Sequence, residues 1–224
     1  MSAWSPRLAP TAPMEVLSFH WLRRFSGRHP SYRGDLAPLE RIPTSLPGVY
    51  ELRPKVFTDS RGFFTETYHR RKFAELGIND SFVQENHSFS STGTLRGLHY
   101  QLHHPQAKLC RVIEGDAFDV VLDVRLGSPT FSRWTGLLLS AREQNQIYIP
   151  AGFAHGFLAL SERVQFLYKC SDFYSPADER GIIWNDPALH ISWGVANPLI
   201  SEKDAKYPAL SAVLFGDLPR YPGK

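Results

Sequence analysis

The sequence predicts an all-β fold: a double-sheet jelly roll with a few short peripheral helices. Three observations predict it. Short apolar runs of strand length recur from Gly48 onward, separated by turn residues. Pro (17) and Gly (16) are frequent enough to supply those turns, and the aromatic share of 13%, mostly Phe and Tyr, suits pleated surfaces. No solenoid period or low-complexity tract competes with this pattern. A chain of 224 residues is long enough to bury one sizeable core.

The elements follow in chain order. Residues 1–46 read as a poorly ordered N-terminal extension, because Arg7, Arg23, Arg24, Arg28, Arg33 and Arg41 accompany several prolines without strand alternation. The jelly-roll domain is expected over 47–210 and a C-terminal tail over 211–224. GVYELRPKVF reads as the first strand, Asp59-Ser60-Arg61-Gly62 as a turn and FFTETYH as the next strand. Arg70 to Leu76 reads as a short helix with Phe73 and Leu76 on one face, ended by Gly77.

The clearest hairpin is KLCRVI, then Glu114-Gly115-Asp116, then AFDVVLDVR. In its second arm Phe118, Val120, Leu122 and Val124 alternate with Asp119, Asp123 and Arg125, with Val121 the exception, which predicts a half-buried strand. QIYI and HGFLAL flank Pro150-Ala151-Gly152. In VQFLYKC, Phe166, Tyr168 and Cys170 share one side, so Tyr168 is expected to point inward.

Charge and cysteine usage narrow the function. A formal net charge of +3 gives no basic stripe of the kind that binds nucleic acid. No apolar run reaches membrane-spanning length and the N-terminus lacks a secretory pattern, so a cytoplasmic protein without membrane or nucleic-acid partners is expected. Cys110 and Cys170 lie in apolar runs without metal spacing and read as buried reduced thiols.

Three clusters carry reactive groups: Gln84-Glu85-Asn86-His87-Ser88 with LRGLHYQ, QAKLCR, and PAGFAHGF with Tyr168 beyond it. His99 is followed two residues later by Gln101, which breaks a His-x-His metal pair, and His103 and His104 would point to opposite faces of a strand. No metal is therefore expected, and proton chemistry is favoured over metal chemistry. Taken singly, each residue has a bland reading. His99 could be a satisfied core histidine, Lys108 a side chain reaching for the rim, and Tyr168 an aromatic core residue with a bonded hydroxyl.

Their joint occurrence gains meaning from a resemblance. The phrases PKVFTDSRGFFTETY, FVQENHS, LRGLHYQ, QAKLCRV, GDAFDVVLDVRLGSPTF, IPAGFAHGFLAL, FLYKCSDFYSPADERGIIWNDPAL and ISEKDA, in this order, resemble the dTDP-4-dehydrorhamnose 3,5-epimerase family from about Gly48 to Asp204. The resemblance implies a cupin-type jelly roll and cofactor-free epimerisation beside a ketone. It implies a homodimer and a dTDP-4-keto-6-deoxyhexose substrate, converted at C3 and C5 to dTDP-4-dehydro-L-rhamnose.

Carried over by position, His99 is the base, Asp204 its carboxylate partner, Tyr168 the opposing acid and Lys108 the cation at the sugar carbonyl. His155 lines the same pocket. Arg61, Glu66, Gln84, Asn86, Arg96, Glu179 and Lys203 are expected to contact substrate, with Arg61 able to serve a neighbouring subunit. Phe173 stands where the family often has a second Tyr in a Tyr-Tyr pair, and its lost hydroxyl is expected to bear on sugar handling. Alternative readings are a C3-only epimerase of another dTDP-deoxysugar pathway, a metal-dependent cupin oxygenase and a non-catalytic sugar-nucleotide module.

Overall fold

The computed structural model describes residues 38–222. Most of the expected N-terminal extension, residues 1–37, lies outside them. The described chain runs through β1 (Leu39–Pro43), β2 (Tyr50–Pro54), β3 (Val56–Asp59), β4 (Gly62–Thr65), α1 (Arg70–Glu75), β5 (Gln84–Ser90) and β6 (Leu95–Gln101). It continues through β7 (Lys108–Glu114), β8 (Asp116–Asp123), β9 (Trp134–Ser140), β10 (Gln146–Ile149), β11 (Phe153–Ala159), β12 (Val164–Cys170) and β13 (Glu179–Gly181). Three short 3₁₀ turns follow, the first at Asp204–Lys206. No helix among the described residues is long and apolar enough to cross a membrane.

Six strands form one antiparallel sheet in the order β1-β2-β10-β7-β12-β5, and five form a second in the order β13-β6-β11-β8-β9. From β5 to β13 the chain changes sheet at every step except β8 to β9, the winding of a jelly roll. The sheets bury Cys110, Val112 and Phe166 of one against Val121, Leu139 and Phe157 of the other. The Phe157 and Phe166 rings stack in parallel, 4.1 Å apart.

The structure corrects the expected hairpin. β7 pairs with β10 and β12, whereas β8 pairs with β11 and β9, so Glu114-Gly115-Asp116 is a corner between sheets. Gly115 has φ +78°, and a Cβ there would lie 2.1 Å from the Arg163 carbonyl oxygen, so the corner requires glycine. Apolar alternation looks the same whether the next strand pairs beside the first or crosses the core.

β8 is likewise not half-buried. Val120, Leu122 and Val124 face a second core built with Leu189, Trp193, Leu210 and Leu218. Asp119 and Asp123, on the other face, are also fully buried. The alternation is real, but its polar side faces inward.

The boundaries also move. β1 pairs along its whole length with β2 and Leu46 is 1% exposed, so the fold begins before residue 47. The expected first strand breaks at Lys55 into β2 and β3, and β3–β4 stands as a separate hairpin. Residues 211–222 pack onto the fold. Leu218 is buried, Leu126 exchanges backbone hydrogen bonds with Pro219 and Tyr221, and the Arg125 guanidinium sits over the Phe153 and Tyr221 rings. The helix matches its expected span, and Gly77 ends it with φ +82°.

Candidate active site

The two sheets enclose a cavity of about 760 Å³. Strand alternation decides what faces it, except on β6, where a register shift against β11 between His155 and Phe157 brings Arg96 and His99 to the same side. β6 contributes Arg96 and His99, β11 His155 and β13 Glu179; from the opposite sheet, β5 contributes Gln84 and Asn86, β7 Lys108 and β12 Tyr168. Lys203 and Asp204 close the rim from the segment after β13. His99 and His155 are direct partners across the β6–β11 pair. The strands meet closely there: Gly97 has φ +121°, and a Cβ on it would fall 2.5 Å from the Gly156 Cα. Only glycine permits that approach beside His99.

His99 Nε2 lies 2.8 Å from Asp204 Oδ1. Burial works to raise the Asp204 carboxyl, but the hydrogen bond and charge of His99, the Gly97 N–H and the Ser201 side chain outweigh it and hold it below the usual range. Asp204 is therefore ionised and only accepts, so Nε2 carries the hydrogen and Nδ1 is left to take a proton. His155 forms a second such pair, with Nε2 2.8 Å from Asp119 Oδ2.

Tyr168 packs beside Phe166 with ring centroids 6.2 Å apart. Burial, then the nearby Cys170 and Cys110, push its hydroxyl up to about 12, which keeps it protonated at neutral pH and able to donate. Both cysteines are free and buried, as expected. Lys108 lies on the inner face of β7, in the same sheet as Tyr168.

The remaining polar groups form two anchors. Gln84 Nε2 donates to Asn86 Oδ1 at 2.9 Å, and Arg96 donates to Ser90 Oγ and the Phe89 carbonyl, each at 3.1 Å. At the rim, Glu179 accepts from Lys203 at 2.7 Å, Tyr207 at 3.2 Å and Tyr174 at 2.5 Å. Burial works to raise Glu179, yet Lys203, Tyr174 and the His99 charge hold it below the usual carboxylate range.

Arg61 and Glu66 are not brought to this cavity. The Arg61 side chain is 88% exposed and pairs with Asp59, and Glu66 pairs with Lys72.

Three residues escaped the sequence reading. Asp119 was assigned to a polar strand face without a direction. Tyr174 lines the cavity, whereas Phe173 is 65% exposed and does not. The Phe173 departure thus removes no hydroxyl from the cavity wall. Tyr207 follows the SEKDA phrase, and no sequence signal marked it. Among the described residues, no three His, Cys, Asp or Glu converge as a metal-ligand group.

Comparison with known proteins finds relatives of one family over most of the described residues. The family model for dTDP-4-dehydrorhamnose 3,5-epimerase matches residues 43–212. The chain is 53% identical over 169 residues to the dTDP-4-dehydrorhamnose 3,5-epimerase of Pseudomonas aeruginosa, covering 75% of this chain and 93% of that one. It is 52% identical over 167 residues to that of Neisseria gonorrhoeae, covering 74% of this chain and 51% of that one, so it spans about half of that relative. The crystal structure of dTDP-6-deoxy-D-glucose-3,5-epimerase from Legionella pneumophila, in complex with dTDP-4-keto-L-rhamnose, superposes with a TM-score of 0.81 at 44% identity, covering 83% of this chain and 100% of that one. A 3'-monoepimerase from Streptomyces bikiniensis, in complex with dTDP-quinovose, superposes with a TM-score of 0.76 at 35% identity, covering 80% and 93%.

Proposed function

The chain belongs to the dTDP-4-dehydrorhamnose 3,5-epimerase family, and from that premise we propose how its cavity works. The protein is an isomerase. It epimerises dTDP-4-dehydro-6-deoxy-D-glucose at C3 and C5 to dTDP-4-dehydro-L-rhamnose, in dTDP-L-rhamnose synthesis. One observation carries the mechanism: His99 and Tyr168 face the same cavity from different sheets.

The proton at C3 is acidic because the C4 carbonyl accepts the electron pair left behind. His99 Nδ1 takes the proton, the C–H pair becomes the C3=C4 bond, and the carbonyl pair moves onto the oxygen as an enolate. Lys108 supplies the positive charge that stabilises this oxygen. Asp204 holds the ring in its tautomer and stabilises the imidazolium. The electron pair then returns, and Tyr168 delivers a proton to the opposite face of C3, leaving a phenolate. Exchange with water resets both groups, and the cycle repeats at C5. The protons balance without a redox partner, which supports a cofactor-independent reaction.

Gln84, Asn86, Arg96, Glu179 and Lys203 are assigned to the nucleotide and diphosphate, where the guanidinium fork suits phosphate oxygens. Arg61 and Glu66 belong to this reading through a homodimer. They flank or sit on an extended hairpin whose Phe57, Phe63 and Phe64 are exposed, and they are assigned to the cavity of a second copy. Two free buried thiols support a reduced, cytoplasmic setting.

Incubating the protein with dTDP-4-dehydro-6-deoxy-D-glucose in D₂O tests the reaction. Deuterium at both C3 and C5 is expected. Label at C3 alone moves the protein to the second reading, a C3-only epimerase, favoured by the likeness to the 3'-monoepimerase. No label at either carbon overturns both.

A further inference from the structure

Resting on the reaction just described, the geometry points to Tyr207 as a positioning residue for proton abstraction. It holds the His99 ring in its Asp204-directed orientation and holds the Glu179 carboxylate as a second anion facing the same nitrogen.

Tyr207 follows the 3₁₀ turn Asp204–Lys206, so the backbone turn that delivers Asp204 also delivers this ring. Its ring meets the His99 imidazole edge to face, with centroids 5.7 Å apart and planes at 66°. Its hydroxyl donates to Glu179 Oε1 at 3.2 Å, and that oxygen lies 3.8 Å from His99 Nε2. One side chain therefore touches both the base and its second anionic neighbour.

Space for it comes from β13. Gly181 is the direct partner of His99 across the β6–β13 pair. A Cβ on Gly181 would lie 2.4–2.6 Å from three atoms of the Tyr207 ring. The missing side chain leaves a slot beside the imidazole, and the phenol fills it. The segment is pinned behind the ring, where the Ile183 N–H donates to the Pro208 carbonyl at 2.9 Å.

The electrostatics follow from this arrangement. The titratable and charged groups facing His99 are Asp204 and Tyr207 from the segment after β13, Glu179 from β13 and His155 from β11. Lys108 and Tyr168 face it from the opposite sheet. Lys203 and Tyr174 act on it through Glu179. At 3.8 Å, Glu179 Oε1 is too far to compete with Asp204 for the Nε2 hydrogen, but close enough to favour the imidazolium. The hydroxyl of Tyr207 offsets part of the Glu179 charge. Removing that donor and removing the carboxylate should therefore act on His99 in opposite directions.

The test is the pH dependence of kcat/KM, whose acid limb reports the base of the free enzyme. Tyr207→Phe keeps the ring and removes the donor, and its acid limb is expected to move to higher pH. Glu179→Gln removes the anion, and its acid limb is expected to move to lower pH, each by about half a unit to one unit. Tyr207→Leu also removes the ring contact, and a kcat loss of roughly tenfold is expected, restored in Tyr207→Phe. Limbs of Tyr207→Phe and Glu179→Gln that stay within about 0.2 unit of wild type, or that move the same way, overturn the proposal. If Tyr207→Leu does not fold, Tyr207→Phe, which keeps the ring, decides the question by the direction of its limb relative to Glu179→Gln. Wild-type protein that exchanges no substrate hydrogen sinks the reaction itself, whereas active wild type with unmoved limbs sinks only the role of Tyr207.

Discussion

Two histidines in the cavity each place Nε2 2.8 Å from a carboxylate oxygen, and there the likeness ends. Asp204 reaches His99 from an irregular segment 105 residues later in the chain, and the His99 side chain is 26% exposed at the cavity wall. Asp119 reaches His155 from the adjacent strand β8. That pair is buried, with Asp119 fully so and its Oδ1 without a partner among the described residues. Both Asp204 oxygens are engaged, one by His99 and one by the Gly97 N–H. The contrast teaches that distance alone does not assign a role to a His–Asp pair. The His99 pair has a satisfied carboxylate that can stabilise an imidazolium facing the cavity. The His155 pair costs desolvation to maintain and fixes a ring in the wall.

Substitutions at His99 should break the comparison most sharply. His99→Ala is expected to lower turnover by about 10³-fold or more while dTDP affinity stays within a few-fold of wild type. Steady-state kinetics and calorimetric titration with dTDP measure the two separately. An equal loss of nucleotide binding would make His99 structural, like its neighbour. Asp204→Asn comes next. The ring stays packed, but its tautomer is no longer enforced, and kcat is expected to fall by about 10²–10⁴-fold. A loss below tenfold would mean that the Asp204 charge is not needed, and would leave the two pairs equivalent.

How much of this was legible in the sequence depends on which face a residue occupies. Period-two alternation correctly put Phe166, Tyr168 and Cys170 on one side of β12, and the fold class followed from strand length and turn residues. The same periodicity could not say which side of β8 looks inward. Asp119 shares its face with Val121 inside the barrel, while the more apolar face is covered by residues 189–218, which carry little regular structure to read. The corner at Gly115 was hidden for a related reason, since strand pattern does not specify the pairing partner. His99, Lys108, Tyr168 and Asp204 converge through long-range pairing and one irregular segment, and only the resemblance linked them. Tyr207 had no such link, because its role arises from the slot at Gly181.

The buried pair should respond through stability before catalysis. Asp119→Asn keeps the shape of the side chain and can still accept one hydrogen bond, but it removes the charge opposite His155. A loss of about 2–3 kcal/mol in unfolding free energy is expected by urea titration, with kcat reduced less than tenfold. If kcat instead falls as far as in Asp204→Asn with stability unchanged, His155 and Asp119 are part of the proton relay and the comparison fails.

The smallest expected effect concerns acid. Asp204 is held below its ordinary value in the folded protein. Its contribution is therefore present above the unfolded carboxyl value, about 3.9, and is lost as pH falls through the lower folded value. Asp204→Asn cannot make that contribution at any pH. The stability difference between wild type and Asp204→Asn should be on the order of 1 kcal/mol near neutral pH and should close below about pH 4. Urea titrations at several pH values measure it. A difference that persists unchanged at pH 3 would mean that the carboxylate charge stabilises nothing in the fold. The hydrogen bonds from His99 and Gly97 would then have been arranged for the base alone.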